Sequence, residues 1–385
     1  MNLKAEVRAE ALRLLDWWAG HLVDDRGGFY GEVDADDRPV VEAAKSIILN
    51  TRLLWFFSAM VAADDRAAAL AKRAADYLRA HFLDAEHGGL YWVLKADGQP
   101  EDTRKQAYAQ AFAVYAFAEY HHATGDAAAL VFARDLQALI EAKYWDAGAG
   151  GYIEALDREW NPPADQRLSD KDLDAPKTMN THLHVLEAYT RLHVVAPTAD
   201  TRAALRRILS LFVERFVRAD GHLRLFFDMD WNDLSRSVSY GHDIEASWLI
   251  WEAAEALGDE TLLAQARPIV LALAESARRE GMNTAGAFSY EKGHEGHLDP
   301  NGEWWEQAEA LVGFINAWQM TSEAKWLDAA EKVWAYTRAQ YGAGGASEWT
   351  WYAASAPKDK IYKAGQWKCP YHNGRAMIEL DHRLA

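Results

Sequence analysis

The chain contains a single cysteine, Cys369, among 385 residues. No internal disulfide can form, so a reducing, cytoplasmic compartment is expected. Long apolar runs are missing too: nothing approaches the roughly 20 residues that cross a bilayer. Met1 to Gly20 reads as a charged amphipathic helix, without the apolar stretch of a signal peptide. Basic residues are outnumbered, with 41 Lys and Arg against 58 Asp and Glu, for a net charge of −17. That balance argues against a nucleic-acid or anionic-membrane partner and against highly anionic substrates. A neutral small molecule fits better. Strand-type alternation over many residues is also absent, which leaves helices to build the fold.

What is present is a repeat. Six Gly-plus-aromatic turns recur about every sixty residues: Gly27-Gly28-Phe29-Tyr30, Gly88-Gly89-Leu90-Tyr91-Trp92, Gly150-Gly151-Tyr152, Gly221-His222-Leu223, Gly286-Ala287-Phe288 and Gly344-Gly345-Ala346. Each hands over to a long apolar helix. Leu49, Leu53, Phe56, Phe57 and Met60 show the helical spacing, as do Phe112, Tyr115 and Phe117. About sixty residues hold a short hairpin and two helices. Six such units give twelve helices, and the sequence predicts an all-α (α/α)6 barrel with short β-hairpins between helix pairs. Evenly spaced repeats leave no composition break for a linker, so residues 1–385 are expected to form one domain.

Two stretches interrupt the regularity. Asp157 to Thr178 carries Pro162, Pro163 and Pro176 among alternating charges, and a loop of that size suits a lid or binding loop. Gly281 to Glu303 reads as irregular, with His294 and His297 as exposed loop residues. The 17 Trp and other aromatics serve core packing first, with some available as sugar platforms.

The opening turns of the helices that follow the repeats hold residues suited to catalysis: Arg52, then Tyr108, Asn180 with His184, His242 with Glu245, Trp305 with Glu309, and His372. His242, Glu245 and Trp248 lie three apart and share a helix face. The helix opening is expected to lower the pKa of His242. His184 follows Asn180 by four residues and Glu309 follows Trp305 by four. Pro370 fits at or just before a helix start, which places His372 in a first turn. Any one of these is compatible with a hydrogen-bonded core histidine or a buried structural charge. Their recurrence at corresponding points of successive units is not, because the inner helices of a closed ring aim their starts at one cavity.

Histidine accepts and returns protons near neutrality. Two histidines on opposite sides of a carbon let a proton leave one face and return to the other, which is epimerisation or isomerisation beside a carbonyl. C2 of an open-chain aldose is such a carbon. Its enediolate intermediate needs a cation and aimed donors, which Arg52 and Tyr108 can supply. An acid-side fall in rate near the histidine range is expected.

Four segments carry a resemblance: Lys45 to Phe57, Asn180 to Tyr189, Gly241 to Leu249 and Lys368 to Arg375. In order and over nearly the whole chain, they resemble the cellobiose 2-epimerases of the N-acylglucosamine 2-epimerase superfamily. The resemblance implies an (α/α)6 barrel that reversibly inverts C2 of the reducing-end glucose of β-1,4-linked disaccharides, taking cellobiose to glucosyl-mannose and lactose to epilactose. It implies no metal and no organic cofactor. By the same resemblance, His242 and His372 form the acid/base pair, His184 assists at the oxygens and Arg52 steadies the enediolate. Tyr108, Asn180, Glu245 and Glu309 position these groups or the sugar, Trp305 and Trp367 stack on sugar rings, and Asp172 in the lid contacts substrate; Trp248 joins the expected substrate-binding residues through the helix face it shares with His242 and Glu245. A monomer or homodimer is expected.

Other readings have distinct consequences. Relatives in the superfamily act on monosaccharides, so a D-glucose/D-mannose 2-epimerase or mannose isomerase is the nearest alternative. A glycoside hydrolase could use Glu245 with Glu309 or Asp172, but it leaves three histidines without a task. A non-catalytic sugar-binding barrel needs no acid/base pair at all. A metal-dependent isomerase is disfavoured by Arg52 among the proposed ligands.

Overall fold

The computed structural model describes residues 3–356 and 361–384. Met1, Asn2 and Ala385, at the ends of the expected domain, lie outside the described residues. Twelve α-helices are found among those described: α1 (Leu3–His21), α2 (Ile47–Ala59), α3 (Asp65–Tyr77), α4 (Ala107–Thr124), α5 (Ala127–Lys143), α6 (Met179–Val195), α7 (Ala199–Leu211), α8 (Tyr240–Leu257), α9 (Glu260–Ser276), α10 (Trp304–Thr321), α11 (Ala324–Gln340) and α12 (His372–Arg383). The even-numbered helices touch in sequence, and α12 returns to α2, which closes an inner ring. Each odd helix covers it from outside, α1 packing on α12. This is the (α/α)6 barrel that the repeat predicts.

Sequence decides which helix goes where. Inner α4 is apolar all round and buried from Ala107 to Tyr120, whereas outer α3 buries only one stripe, through Ala67, Ala71, Ala74, Ala75 and Tyr77. A helix wet on one side needs the stripe, and one walled on all sides does not.

The turns work as joints. Gly151 adopts φ +85°, and a Cβ there would lie 2.5 Å from the Trp231 ring and 3.0 Å from His182 Nε2, so only glycine fits. Before three of the inner helices a buried lysine clamps the turn of its repeat. Lys45 Nζ donates to Asp24 (2.8 Å), Lys105 to Asp84 (3.0 Å) and Lys177 to Asp146 (2.7 Å). Lys368 makes the equivalent bond to Glu348 at 3.2 Å.

Inside the inner helices one position ties back to the same turns. Gln110 Oε1 accepts from Leu90 N, His182 Nε2 from Tyr152 N and Asp243 Oδ1 from Leu223 N. These shared bonds set a common register for the ring. Two residues beyond that position come Phe112, His184 and Glu245. Arg52, Glu309 and Arg375 fall at the same level in α2, α10 and α12. One residue before Asp243 in α8 and Asn373 in α12 come His242 and His372.

The stretch Gly281 to Glu303, expected to be irregular, instead forms a hairpin. Glu291–Gly293 pairs with Leu298–Asp299 on one side and with Ser237–Ser239 on the other. Its strands are too short to leave an alternation signal in the sequence. His294 and His297 are exposed at its tip, as read. The pairing fixes Ser239 at the mouth of α8, one turn before His242.

Candidate active site

At the N-terminal ends of the inner helices lies a two-lobed cavity. One lobe, of about 360 Å³, is lined by Arg52, Tyr108, Asn180, His184, His242, Glu245, Trp305, Trp367 and His372. A second, of about 370 Å³, shares Asn180, His242, Trp305 and Asp172 with it and extends to Glu154 and Phe226. Leu168, Lys171 and Asp172 bring the proline-bearing loop in as a wall of both lobes. That loop is tethered to the start of α10 by Lys171 Nζ, 3.1 Å from Glu303 Oε1.

Every histidine of the cavity has its Nδ1 engaged from behind. His184 Nδ1 lies 2.9 Å from Glu187 Oε2, His372 Nδ1 2.6 Å from Glu309 Oε1, and His242 Nδ1 2.7 Å from Ser239 Oγ. A carboxylate accepting at Nδ1 puts the proton there, which leaves Nε2 with a lone pair. His242 and His372 flank one ring, with the Trp305 centroid 4.9 Å from His242 and 5.5 Å from His372. Burial drives the His242 imidazole down to about 3, assisted by the charge of His184 and opposed by Glu309. Burial likewise holds His372 well below its ordinary value, with Arg52 and Arg375 adding to the shift. His184 is lowered by burial against the pull of Glu187. The depression foreseen from the helix opening is therefore present, but desolvation is its largest cause. Neutral, unprotonated bases result.

Behind these histidines stands a charge network. Arg375 Nη2 donates to Glu245 Oε1 at 2.7 Å and to Glu309 Oε1 at 2.6 Å, while Nη1 donates to Glu187 and Tyr371. Trp248 Nε1 donates to Glu309 Oε2 at 3.1 Å, so both oxygens of Glu309 meet donors, and burial raises its carboxyl above the ordinary value against the pull of Arg375 and Trp248. Glu245 Oε2 meets no donor. Burial and the neighbouring Glu309 charge push the Glu245 carboxyl well above its ordinary value, against the pull of Arg375. Burial works upward on Glu187 as well, yet Arg375 and the hydrogen bonds from His184 and Tyr371 hold it at about 2.

Arg52 is different. It is buried, with Nη2 donating to Tyr108 Oη at 2.7 Å and Nη1 lying 3.5 Å from Cys369 Sγ, and its guanidinium packs 4.3 Å from the Phe112 ring centroid and 4.4 Å from that of Tyr371. A thiol and a phenol surround it where a structural arginine meets carboxylates. Its positive charge faces the cavity.

The cavity thus gathers Arg52, Tyr108, Asp172, Asn180, His184, His242, Glu245, Trp305, Trp367 and His372. Two residues assigned to sugar contact do not line it. Trp248 is buried behind the carboxylates, its ring 4.6 Å from the Arg375 guanidinium, and Glu309 stands behind His372. Helical spacing gives the shared face of His242, Glu245 and Trp248 but not how far down the barrel the ring reaches. Sequence reading passed over Arg375, Glu187 and Tyr371, and over Trp304, Trp351 and Tyr290 in the wall. A signal existed for two of them: Glu187 follows His184 by three residues and Arg375 follows His372 by three, the same spacing that drew attention to Glu245.

Glu245, Glu309 and His372 could present one ligand atom each within 4.8 Å. Arg375 already donates to both carboxylates, so its guanidinium supplies the local positive charge a metal ion would bring.

The profile of the N-acylglucosamine 2-epimerase (GlcNAc 2-epimerase) family matches residues 28–376. The chain belongs to this family. It is 44% identical to a cellobiose 2-epimerase of Bacteroides fragilis over 98% of both chains, and 36% identical to one of Ruminococcus albus over the same share. Among solved structures, the cellobiose 2-epimerase of Bacillus thermoamylovorans B4167 superposes with a TM-score of 0.94 at 36% identity, covering 100% of both chains. In this family member no helix among the described residues is long and apolar enough to cross a membrane.

Proposed function

We propose that the protein epimerises β-1,4-linked disaccharides at C2 of the reducing-end glucose, with cellobiose and lactose as substrates, and that His242 and His372 carry the proton. One observation supports this most: two buried histidines at equivalent points of the ring flank a single tryptophan, each with Nδ1 engaged from behind and Nε2 free of the network, His372 by Glu309 and His242 by Ser239. Ring opening moves the anomeric proton from O1 and returns one to O5, exposing the aldehyde. One histidine removes the C2 proton and the C2–H electrons form the enediolate. The second, loaded at Nε2 with a proton from solvent, delivers it to the opposite face while the first gives up the C2 proton to solvent, and the sugar leaves with C2 inverted. Negative charge on O1 and O2 meets Arg52 and the Tyr108 hydroxyl. His184, held by Glu187, exchanges protons with the oxygens. Glu309 and Trp248 hold His372 and do not touch sugar.

Two lobes suit a two-ring ligand, with the reacting ring among the histidines and the second ring against the loop wall and Trp367. Asp172 and Asn180, whose buried Oδ1 has no partner, are placed to meet hydroxyls. The whole barrel acts as one catalytic domain, monomeric or paired as a homodimer, in the cytoplasm, with no metal or organic cofactor taking part.

The test is NMR in D2O with chelator present, offering cellobiose, lactose, glucose and mannose in parallel. C2 epimers of the disaccharides, deuterated at C2, are expected. Turnover of the monosaccharides alone would move the substrate to glucose or mannose, and loss of turnover in chelator would contradict metal-free chemistry.

A further inference from the structure

The barrel has a second cavity, at its opposite end, that the epimerisation does not use. It encloses about 910 Å³ and is walled by the closing turns of the inner helices, including Ser58 and Ala59 of α2, Glu119 of α4, Arg191 of α6, Glu255 of α8 and Glu379 of α12. Five helix C-termini therefore point their partial negative charge at one space. The sugar cavity, at the N-termini, has the opposite field.

Side chains add to that sign. Glu119, Glu187, Glu252, Glu255 and Glu379 all line the cavity. Arg191 pairs with Glu119, and Arg375 with Glu187. Arg383 is divided between Glu252 (2.5 Å) and Glu379 (3.0 Å). Five carboxyl groups thus share three guanidiniums, so two lack a cation of their own. Burial, with Glu379 beside it, pushes the Glu252 carboxyl up to about 8. A cation entering the cavity would relieve that crowding.

The remaining wall fits an organic cation better than a bare ion. Trp55 and Tyr115 add aromatic surface as a stacked pair, with centroids 5.5 Å apart and planes 10° apart. Val61, Val194, Leu249 and Ile378 supply aliphatic surface between the charged groups. Ser58 Oγ, in a residue 2% exposed, lines the same space without a hydrogen-bond partner among the described residues and can accept from an ammonium group.

We propose that this cavity is a binding site for an aliphatic diamine, its two ammonium groups meeting the surplus carboxylates and its methylene chain the apolar wall. Glu187 separates the two cavities, with one end on His184 and Arg375, so an occupant here acts next to the catalytic network.

The experiment titrates 1,4-diaminobutane into the full-length protein at about 0.15 M salt, where long-range attraction to the net charge is screened, with 1,4-butanediol as the neutral control. Calorimetry should show a saturable one-to-one heat for the diamine and none for the diol, unchanged by excess cellobiose. Glu252→Gln and Glu255→Gln should each weaken binding at least tenfold. Val194→Trp, at an exposed position on the wall, should do the same by filling the space while leaving every charge in place. Binding no tighter than that of the diol, equal binding by all three variants, or displacement of the diamine by cellobiose would overturn the assignment.

Discussion

At the residue scale, what decides the chemistry is how each histidine is held. His372 Nδ1 lies 2.6 Å from Glu309, which Arg375 and Trp248 hold in turn, and His242 is fixed by Ser239. Both imidazoles are buried, and burial lowers them, His242 to about 3. A base with a lowered pKa stays unprotonated to lower pH. Activity should therefore hold as pH falls through the ordinary histidine value of about 6.5 and decline only below it. This revises the expectation drawn from sequence alone, which put the acid limb at the histidine range. Measuring kcat/KM from pH 4 to 8 checks it, and a midpoint at or above 6.5 would mean that the essential histidine is hydrated in the working enzyme.

At the scale of elements, catalytic geometry depends on close approach between α8 and α10. Gly241 opens α8 beside Trp305 and Glu306, and a Cβ there would lie 2.4 Å from the Trp305 ring and 2.6 Å from Glu306 Cγ. Gly241→Ala should displace the indole that both histidines flank. The expected result is a stability loss of about 1–3 kcal/mol from overpacking, together with a fall in kcat/KM larger than that produced by Ala at an exposed position of α8. Denaturant unfolding and steady-state rates check both, and parent-like values would show that the two helices part without consequence. The same approach explains what was legible in the sequence. Gly241, His242 and Glu245 are neighbours on one helix, so spacing reveals them. Arg375 reaches Glu187, 188 residues earlier, and Glu245, 130 residues earlier, and no local pattern encodes such a meeting. Trp248 was misplaced for a related reason, since sequence fixes the helix face and leaves depth along the barrel open. The hairpin at Glu291–Asp299 was missed because its strands run for two or three residues.

At the scale of the molecule, the repeat that was visible as glycine turns becomes a ring with two unlike ends. Helix N-termini, Arg52 and the histidines gather at one end, where an enediolate needs a cation; helix C-termini and a second set of carboxyl groups gather at the other. Such buried groups also shape stability. His182 is lowered by burial to about 4, so its contribution is complete above its unfolded value and is lost as pH falls toward 4. Glu154 is raised by burial to about 7, against the hydrogen bonds from Thr178 and Thr181. Its contribution is complete below its unfolded value of about 4.5 and is lost as pH rises through 7. Glu154→Gln removes that titration, so its melting temperature relative to the parent should be higher at pH 8.5 than at pH 5. An equal difference at both would show that the carboxyl ionises normally in the fold.

The two-histidine exchange at C2 is the centre of the account, and hydrogen exchange in D2O with the single variants His242→Ala and His372→Ala tests it most directly. Each should lose conversion of cellobiose to its C2 epimer by about 10²–10⁴-fold, the usual worth of a positioned acid or base, while a sugar titration still shows binding. Epimer formation with C2 deuteration at near-parent rate in either variant would contradict the assignment of the proton to this pair.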